Sequence, residues 1–488
     1  MTRQSRHTQS STSEPSNSFS MINLVLLSLY TILSVIVIFM MYSYNFLAFR
    51  HLNSIVGFLI LVLFLLSLIL IILKKAKLFT MLSLIISNLI LVAMLFTFKS
   101  TIDFTAKLNK TASFSEVEMS VVVPKDSPLH SISDVKSLEA PTSSDSSNID
   151  SLLEQIKKDK QVAIEKTEVA SYQKAYENLL EGSSQAMVMN QAYISLIEQN
   201  HSDYKEKVKT LYSYKIKKEI KTKSSKANKS GVFNVYISGI DTYGPISTVS
   251  RSDVNIIMTV NMNTHKVLLT TTPRDSYVKI PDGGGDQYDK LTHAGIYGVE
   301  TSMKTLENLY NIDINYYARI NFTSFITLID LLGGIEVQND HAFSAGDYDF
   351  AKGSITLNSE QALRFVRERK SLEGGDNDRG KNQEKVIAAI INKLTTIKSP
   401  AQFSSIVNGL QNSIQTNLSL NQMMSIANAE LGNKDSYNIE SQDVLGTGST
   451  GQLPSYAMPA SSLYMYKLDD FSLEQAKQKI NTTMEEHK

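Results

Sequence analysis

The chain has 488 residues, of which 48 are basic and 48 acidic, so its formal net charge is zero. This balance gives no general attraction to nucleic acid or to anionic lipid, and any affinity for a polyanion must be local. The chain contains no cysteine, which excludes a disulfide framework, a thiol nucleophile and cysteine-ligated metal sites.

Three uncharged apolar segments, at 19–49, 52–73 and 78–98, adjoin a Ser/Thr-rich N-terminal tail of residues 1–20. Each contains the roughly 20 apolar residues that a helix needs to cross about 30 Å of hydrocarbon. The apolar core of the first segment is too long for a cleaved signal peptide. The sequence therefore predicts three transmembrane helices within residues 21–98.

Basic residues near the spans predict the orientation of this anchor, because they accumulate on the cytoplasmic side of membranes. Arg3 and Arg6 lie in the tail, and Lys74, Lys75 and Lys77 lie in the loop between the second and third spans. We therefore expect a multi-pass protein of the cell membrane, with its N-terminus in the cytoplasm and its C-terminal domains extracellular.

A small extracellular α/β accessory domain is predicted in residues 110–221, after the anchor. Short apolar runs alternate with helical patterns in it, and a Ser-rich segment indicates a loop. A polar and basic linker, residues 222–231, follows. The predicted elements are a strand at 115–123, a loop at 140–148, helices at 149–158 and 169–180, and an apolar run at 185–189.

A larger α/β domain of the α-β-α sandwich type is predicted in residues 232–488. Its strands are continuous apolar or β-branched runs, which is typical of strands covered on both faces, and helical patterns alternate with them. Catalytic side chains of such a fold are expected at strand ends and loops. The predicted strands are 232–238, 254–260 and 266–272, and the predicted helices are 298–309, 322–332, 359–366 and 383–397.

Charged residues stand at the ends of these three predicted strands. Asp241 follows the first strand, Asp253 precedes the second, and Arg274 and Asp275 follow the third. If the strands are neighbours, two carboxylates suited to Mg²⁺ and one guanidinium suited to phosphate converge near one edge of the sheet. The alternative is that both aspartates are turn residues and that Arg274 pairs with Asp275.

An arginine-rich segment, RFVRERKSLEGGDNDRGKNQ, occupies residues 364–383. Arginine forks suit planar recognition of phosphate better than lysine does. Arg367 and Arg369 are two apart, so both can face one way where a helix gives way to extended chain. Arg379 and Gln383 are predicted on either side of the next helix start, where free backbone N–H groups favour an anion.

Two further features lie between these charged positions. Lys290, in the KLTHA stretch at 290–294, follows a Gly-rich turn and either reaches a phosphate or remains a solvated side chain. The apolar stretch 316–334 forms a strand and a helix of the core, or part of its face lines a groove for a lipid tail.

Several motifs occur in the order found in the LytR-CpsA-Psr (LCP) family, and the chain resembles that family over a motif core at 232–397. The three-span anchor and the small α/β domain resemble those of family members encoded in capsule operons. The motifs are GID, SRSDV, TTTPRDSYV, KLTHA, the patterned run that begins at Asn321, ALRFVRER and DNDRGKNQ.

The resemblance implies a membrane-anchored phosphotransferase. Such an enzyme moves a glycopolymer, here capsular polysaccharide, from a polyprenyl (undecaprenyl) diphosphate carrier to a hydroxyl group of peptidoglycan. By matching motif, Asp241 and Asp253 would bind Mg²⁺. The residues that would hold the diphosphate and its surroundings are Arg274, Arg367, Arg369, Arg379 and Gln383.

One position departs from the family pattern, because many members carry a second arginine directly before the glutamine and this chain has Asn382. The implied catalysis is mainly alignment and charge neutralisation of the phosphates, with Asp275 as a hypothetical general base. The residues expected to act in catalysis are Arg274, Asp275, Arg367 and Arg369, and Lys290 is a further candidate for substrate binding.

Two other functions stay open at this point. A membrane-bound transcriptional regulator is disfavoured, because the arginine-rich segment is predicted outside the membrane and no helix-turn-helix pattern is seen, so no nucleic-acid partner is expected. A non-catalytic polyprenyl-phosphate or glycan sensor that regulates capsule synthesis would bind without turnover. The expected partners are the lipid-linked polysaccharide, peptidoglycan, the membrane and the capsule-synthesis machinery.

Overall fold

A computed structural model of the chain contains two compact units. Residues up to Thr105, together with 419–434, form the first unit, and the rest of the chain forms the second. The structure describes residues 16–220, 231–240, 242, 245–395, 405–406, 409, 414–432 and 437–486.

Three long apolar helices dominate the first unit, as the uncharged runs predict: α1 (Ser16–Ser43), α2 (Leu52–Ile72) and α3 (Lys77–Ala112). All three are long and apolar enough to cross a membrane. Many of their large apolar side chains are exposed, as expected of surfaces that face lipid. The prediction of three candidate membrane spans is confirmed.

Polar side chains join these helices to each other. Tyr30 Oη donates a hydrogen bond to the carbonyl of Ile60 at 3.0 Å, and Asn88 Nδ2 donates to the carbonyl of Leu26 at 3.2 Å. Such bonds between helices contribute to the association of membrane spans, where apolar burial provides little driving force.

A fourth helix, Leu420–Gly432, belongs to the same unit although it lies far away in sequence. Its Asn428 donates a hydrogen bond to the carbonyl of Asn45 at 2.7 Å and accepts one from the backbone N–H of Phe49 at 3.3 Å. The sequence did not predict that this helix would pack with the N-terminal helices.

The second unit begins with a five-stranded sheet of order β3-β2-β4-β1-β5, in which β1 is antiparallel to both of its neighbours. The strands are β1 (Phe114–Pro124), β2 (Ser137–Ala140), β3 (Glu165–Glu168), β4 (Met187–Asn190) and β5 (Val208–Glu219). The associated helices are α4 (Thr142–Lys160), α5 (Tyr172–Glu181), α6 (Ile194–Ile197) and α7 (Tyr204–Lys207).

The loop predicted at 140–148 is wrong, because α4 already begins at Thr142. Glu168, on β3, accepts hydrogen bonds from the backbone N–H groups of Thr142 and Ser143 at 3.0 and 3.1 Å. A carboxylate at this position satisfies the free donors of the helix start and complements its dipole. The Ser-rich segment is therefore held as helix by a residue distant in sequence.

A six-stranded mixed sheet of order β16-β11-β6-β7-β8-β17 forms the larger part of this unit. The three predicted strands are present and adjacent, with β7 antiparallel to both β6 and β8. The strands are β6 (Val232–Ile240), β7 (Ser252–Asn261), β8 (Lys266–Thr271), β11 (Tyr316–Ile320), β16 (Gln415–Thr416) and β17 (Asn438–Asp443).

Four short hairpin-like sheets surround it. Their strands are β9 (Tyr277–Ile280) with β10 (Gln287–Lys290), β12 (Ile335–Asn339) with β15 (Gly353–Leu357), β13 (Phe343–Ala345) with β14 (Tyr348–Phe350), and β18 (Gly446–Thr450) with β19 (Tyr464–Leu468).

Helices cover both faces of the six-stranded sheet, which confirms the predicted α/β fold class. Tyr236 of β6 points to one face, where it shares a buried core with α9 and α13, and Ile237 points to the other face. The helices are α8 (Leu291–Ala294), α9 (Val299–Tyr310), α10 (Phe322–Leu332), α11 (Ser359–Arg367), α12 (Asp376–Thr395) and α13 (Asp470–Glu485).

The five-stranded and six-stranded sheets are joined within this unit. Glu116 of β1 donates its N–H to the carbonyl of Ser247 at 2.8 Å, and its own carbonyl accepts from the N–H of Val249 at 3.0 Å. One buried apolar core contains β1 and β4 side chains together with Val249, Ile296 and Met465. The predicted domain boundaries remain predictions, and residues 222–230 of the linker lie outside the described residues.

Candidate active site

A cleft of about 610 Å³ opens on the face of the six-stranded sheet that is turned away from α9 and α13. Ile237 and Gly239 of β6 and Val254 of β7 form its base. A Cβ at Gly239 would meet Val254 Cγ2 at 2.6 Å, so the absence of a side chain keeps β6 and β7 in close register there. The cleft is therefore formed by the sheet itself.

The described residues that line the cleft are strongly cationic. Six of the chain's ten arginines lie there together with Lys370, against two carboxylates, those of Asp253 and Glu368. Clustered arginine forks are suited to a ligand with several phosphate oxygens. The six arginines are Arg251, Arg274, Arg364, Arg367, Arg369 and Arg379.

Asp253 organises the inner end of the cleft. One carboxylate oxygen lies 2.7 Å from Arg274 Nη1, and the other accepts a hydrogen bond from Thr292 Oγ1 at 2.9 Å. Burial would raise the pKa of Asp253, but Arg274, Arg251 and Arg379 outweigh burial and lower the pKa to about 2. The carboxylate is therefore ionised at neutral pH, and Arg274 pairs primarily with Asp253 instead of Asp275.

Asp275 and Lys290 lie beside the cleft and do not line it. Both are buried, and Lys290 Nζ is 2.9 Å from one oxygen of Asp275. The other oxygen lies 3.8 Å from Arg274 Nε and 3.9 Å from Arg369 Nη1. Burial would raise the pKa of Asp275, but Lys290 and Arg274 outweigh it and lower the pKa. A buried carboxylate with a lowered pKa is better suited to orienting two arginines than to accepting a proton.

Arg367 and Arg369 reach the same cleft because the chain changes conformation between them. Helix α11 ends at Arg367, and Glu368 is extended, with φ −64° and ψ 137°. The Arg367 guanidinium carbon lies 4.2 Å from the centre of the Phe322 ring, within cation–π range. Arg367, at the end of the helix, and Arg369, in the extended chain that follows, therefore both line the cleft, as their spacing predicted.

The helix that follows starts earlier than predicted, at Asp376 instead of Gln383. Arg379 and Gln383 consequently lie one turn apart on the same helix, both buried and both lining the cleft. Gln383 Nε2 donates to the carbonyl of Val366 at 3.2 Å, which ties α12 to the end of α11.

The Gly-Gly pair before this helix forms part of a turn. Gly375 has a positive φ of 56°, and the N–H of Gly374 donates to Asp378 Oδ2 at 2.8 Å. Asp378 also binds Lys381 at 3.2 Å. Two arginines of the cleft, Arg274 and Arg369, lie within 4 Å of Asp253 or Asp275, which are at the ends of distant strands.

Apolar side chains also line the cleft, and Arg367 lies over the ring of one of them, Phe322. Phe322 and Phe325 of α10, together with Val386, Ile387 and Ile390 of α12, line it. Several of these side chains also pack in the core, so the stretch 316–334 forms a strand and a helix of the core, whereas a groove for a lipid tail stays a prediction. The cleft can therefore accommodate a ligand that joins a polyanionic group to an apolar chain.

The chemistry of the cleft fits a magnesium ion that arrives with a phosphate ligand. Asp253 is ionised, and Mg²⁺ typically takes one or two carboxylates plus substrate phosphates and waters. Among the described residues no cluster of three or more His, Cys, Asp or Glu side chains is present that would hold a metal alone. Asp241, the other predicted ligand, lies outside the described residues.

The sequence did not reveal a carboxylate pair between α12 and β17, in which Glu384 is buried and Asp443 is half-buried. Glu384 of α12 accepts a hydrogen bond from Thr271 Oγ1 at 2.6 Å, and Asp443 is its anionic neighbour. Burial and the Asp443 charge raise the pKa of Glu384 to about 8, and burial raises that of Asp443 to about 6. Glu384 is therefore mainly protonated at neutral pH.

Replacing Glu384 by Gln should remove a pH dependence of stability. The unfolded chain ionises this carboxyl near pH 4.5, whereas the folded chain keeps it protonated to about pH 8. Between these values the folded state binds more protons, so its free energy of unfolding falls as pH rises. Denaturant unfolding in detergent should show wild type and Glu384→Gln alike near pH 4, and the variant more stable near pH 8.5 by on the order of 3 kcal/mol.

The matched control for this prediction is Glu474→Gln, which changes an exposed carboxylate on α13 and should leave the pH profile unaltered. A Glu384→Gln profile that runs parallel to wild type over the whole range would contradict the protonated state of Glu384.

Comparison with known proteins identifies relatives of the larger part of the chain. The polyisoprenyl-teichoic acid–peptidoglycan teichoic acid transferase TagU of Bacillus subtilis is 32% identical over 270 residues, which cover 55% of this chain and 83% of that protein. The protein of the same name from Enterococcus faecalis is 39% identical over 225 residues, covering 45% and 72%. The crystal structure of B. subtilis TagU is 31% identical, covers 53% of this chain and 98% of that chain, and has a TM-score of 0.42.

Two family profiles match the chain. That of the DNA polymerase processivity factor matches residues 74–189, about a quarter of the chain that includes the apolar helix α3, and this span is too small to assign the chain to that family. The profile of the LytR_cpsA_psr family matches residues 197–482, more than half of the chain, and confirms the resemblance drawn from the motifs. The chain therefore belongs to the LytR_cpsA_psr family.

Proposed function

We propose that this protein transfers a glycopolymer from a polyprenyl diphosphate carrier to a hydroxyl group of peptidoglycan. The relatives named above are teichoic acid transferases that act on peptidoglycan, which supports a glycopolymer transferase. The observation that carries the proposal is the cleft, which six arginines and several apolar side chains line together. A lipid diphosphate has both parts that such a cleft requires.

The polymer that we propose is capsular polysaccharide. The resemblance of the three-span anchor and the predicted small α/β domain to those of family members encoded in capsule operons supports this choice. The teichoic acid named for the relatives is the alternative polymer, and the two differ in the charge and sugars of the chain, not in the diphosphate that the arginines would bind.

The proposed reaction forms one bond and breaks another at a single phosphorus atom. A peptidoglycan hydroxyl attacks the sugar-linked phosphorus, its oxygen bonds to that phosphorus, and the bond to the bridging oxygen breaks. Polyprenyl phosphate leaves with the electron pair, and the hydroxyl proton is released. Charge builds on the phosphate oxygens, so preorganised guanidinium groups lower the barrier.

The arginines would divide this work between them. Arg274, fixed by Asp253 at 2.7 Å, and Arg379 would bind the inner phosphate, whereas Arg367 and Arg369 at the outer edge would bind the leaving phosphate. Gln383 would hold α11 and α12 in the register that brings the two pairs together. Lys290 would act through Asp275 as a positioning residue.

Magnesium is proposed as the cofactor of this site. Asp253, with Asp241, would hold the ion, and the ion would neutralise charge on the diphosphate oxygens. Asp275 stays a hypothesis as general base, and its pairing with Lys290 and two arginines does not favour that role.

The donor and acceptor of this reaction lie outside the cytoplasm, so we propose that the second unit is extracellular and that α1 to α3 anchor it in the cell membrane. Protease added to intact cells should then digest a tag at the C-terminus and leave an N-terminal tag intact.

The decisive experiment uses the full chain in detergent with a polyprenyl-diphosphate-linked oligosaccharide, peptidoglycan fragments and Mg²⁺. Covalent glycan should appear on the fragments, and it should not appear when a chelator is present. Parallel donors that carry a capsular repeat unit or a teichoic acid unit identify the preferred polymer. If the protein binds the donor but transfers no glycan, in detergent and in lipid vesicles alike, the transferase proposal is wrong and the function is that of a non-catalytic sensor.

A further inference from the structure

A second cleft, of about 520 Å³, lies between the five-stranded and the six-stranded sheets of the second unit. The start of α4 and the end of β4 form one side, and α9 forms the other. None of the residues that line it also lines the cationic cleft. The transfer chemistry proposed above leaves this cleft without a role.

The walls of the second cleft are held in place before any ligand binds. Glu116 of β1 exchanges backbone hydrogen bonds with Ser247 and Val249, and Ser247 Oγ also donates to Glu116 Oε2 at 2.9 Å. Val249 and Ile296 line the cleft and belong to the core that joins the two sheets. A preformed cleft of this size is typical of small-ligand sites.

A hydrogen-bond network on the α4 side of the cleft fixes the orientation of a side chain that could bind a ligand. Asp145 interrupts the helical conformation of α4, and its carboxylate accepts hydrogen bonds from Tyr172, Asn190 and Asn148 at 2.7, 2.9 and 2.6 Å. Burial by the surrounding chain raises the pKa of Asp145. These bonds fix the amide of Asn148 with its nitrogen towards Asp145.

The amide oxygen of Asn148 is consequently left without a donor. Asn148 lines the cleft, is 6% exposed, and its Oδ1 accepts no hydrogen bond within the part of the chain that the structure describes. A buried polar atom without a partner costs about 1–3 kcal/mol, which a ligand hydroxyl or amide N–H would recover.

The charges of the second cleft are the reverse of those in the first. Its lining residues include four carboxylates and two lysines. Lys304 Nζ is already paired with Asp282 at 2.8 Å. Phosphate and other anions are therefore disfavoured here, and hydrogen-bond donors are favoured. The charged residues are Asp145, Asp282, Glu300, Glu307, Lys218 and Lys304.

Aromatic rings complete the lining. Tyr193 and Tyr297 face the cleft, with their hydroxyl oxygens 3.5 Å apart, and the apolar side chains Ile296 and Ile314 lie beside them. Aromatic and aliphatic faces beside amide and carboxylate acceptors match the alternating apolar and hydroxyl-bearing surfaces of a pyranose ring.

We propose that the second cleft binds an uncharged sugar unit of a glycan. Its hydroxyl or amide hydrogens would reach Asn148 Oδ1 and the carboxylates, and its apolar face would lie on the tyrosine side. Such a unit occurs in the glycan strand of an acceptor and in the repeat of a donor polymer. The proposal does not depend on the transfer reaction, because binding is measured without any lipid donor.

Titration calorimetry on the full chain in detergent tests the proposal with three tetrasaccharides. They are chitotetraose, with the amino-sugar chemistry of a peptidoglycan strand, a neutral hexose tetrasaccharide, and the anionic tetragalacturonate. At least one neutral probe should bind, at least tenfold more tightly than tetragalacturonate. Preference for chitotetraose indicates an acceptor subsite, and preference for the hexose probe indicates a donor subsite.

Variants locate the binding in the cleft. Asn148→Leu should weaken binding about tenfold, as expected for one lost buried hydrogen bond. Glu307 accepts a hydrogen bond from the N–H of Ile314 at 2.9 Å, and a glutamine at this position can accept the same bond. Glu307→Gln should therefore retain the fold and weaken binding severalfold. Asn178→Leu is the matched control, since Asn178 also binds a carboxylate, Glu139, but lies outside the cleft.

The proposal is wrong if neither neutral probe binds, or if binding is unchanged in Glu307→Gln and in a folded Asn148→Leu protein. Stronger binding of tetragalacturonate than of the neutral probes would also overturn it. These outcomes leave the proposed transferase untouched, because Arg274 and the cationic cleft are intact in every variant.

Discussion

Replacing Arg274 by Ala is expected to lower the rate of glycopolymer transfer about 10³-fold, with donor binding weakened to a smaller extent. Arg274 is 18% exposed, lies in the cleft and is fixed by Asp253 at 2.7 Å. Loss of one preorganised donor to developing phosphate charge costs about 10² to 10⁵ in rate in comparable enzymes. Single-turnover transfer from a lipid-linked donor measures this effect directly.

Two further variants make this result specific. Arg274→Lys keeps the positive charge but loses the planar guanidinium group, so its transfer rate should exceed that of Arg274→Ala only slightly. Lys385→Ala removes a cation of α12 that pairs with Asp340 at 2.6 Å and does not line the cleft, so it should transfer at the wild-type rate. Transfer by Arg274→Ala at more than a tenth of the wild-type rate would remove Arg274 from the catalytic set.

The second large effect is on stability. Arg319→Met should lower the free energy of unfolding by about 3 kcal/mol. Arg319 is 2% exposed and donates to the carbonyls of Ile246 and Thr248 at 3.2 and 2.7 Å, and to Gln415 Oε1 at 3.0 Å. Burial lowers the pKa of Arg319 to about 10, so the side chain still donates as a cation at neutral pH.

Denaturant unfolding in a fixed detergent tests this expectation. Arg364→Met, at an exposed arginine of α11, should change stability by less than about 0.5 kcal/mol. The segment that Arg319 holds leads directly to Arg251 and Asp253, so the variant should also lose transfer activity. An Arg319→Met protein as stable as Arg364→Met would show that the three carbonyl oxygens find other partners.

Local signals predicted the elements whose ends lie in their own sequence. Helix α10 was predicted at 322–332 and is observed as Phe322–Leu332. Asn321 caps its start by accepting the N–H of Ser324 at 2.9 Å, and Gly333 ends it with a φ of 68°. The uncharged runs of the anchor and the apolar strands are likewise visible in short windows of sequence.

Helix starts that no local apolar pattern marks were predicted less well. The start of α4 depends on Glu168, and the segment before it has the composition of a loop. The start of α12 depends on the turn at Gly374 and Gly375, whose bond to Asp378 is local, but the apolar pattern that marks a helix begins only near Gln383. A pattern-based boundary therefore fell seven residues late.

The candidate site shows the same division. Residue type and spacing predicted that the arginines of segment 364–383 bind phosphate, because several guanidinium groups in one short segment are suited to a polyanion. The convergence of Asp253 and Arg274 was predicted from the strand ends, but the contacts of Asp275 with Lys290 and Arg369 were not, since they depend on the fold. Glu384 and Arg319 had no signal at all, because a charged side chain in a polar stretch reveals neither its burial nor its pKa.

One short segment, 245–253, contributes to both clefts. Val249 lines the cleft between the sheets, and Arg251 and Asp253, a few residues further on, line the cationic cleft. Thermodynamic linkage requires that if a ligand in one cleft changes affinity in the other by some factor, the reverse effect has the same factor. Any cooperativity between a neutral sugar and a lipid diphosphate would thus be reciprocal, and measurable from either ligand.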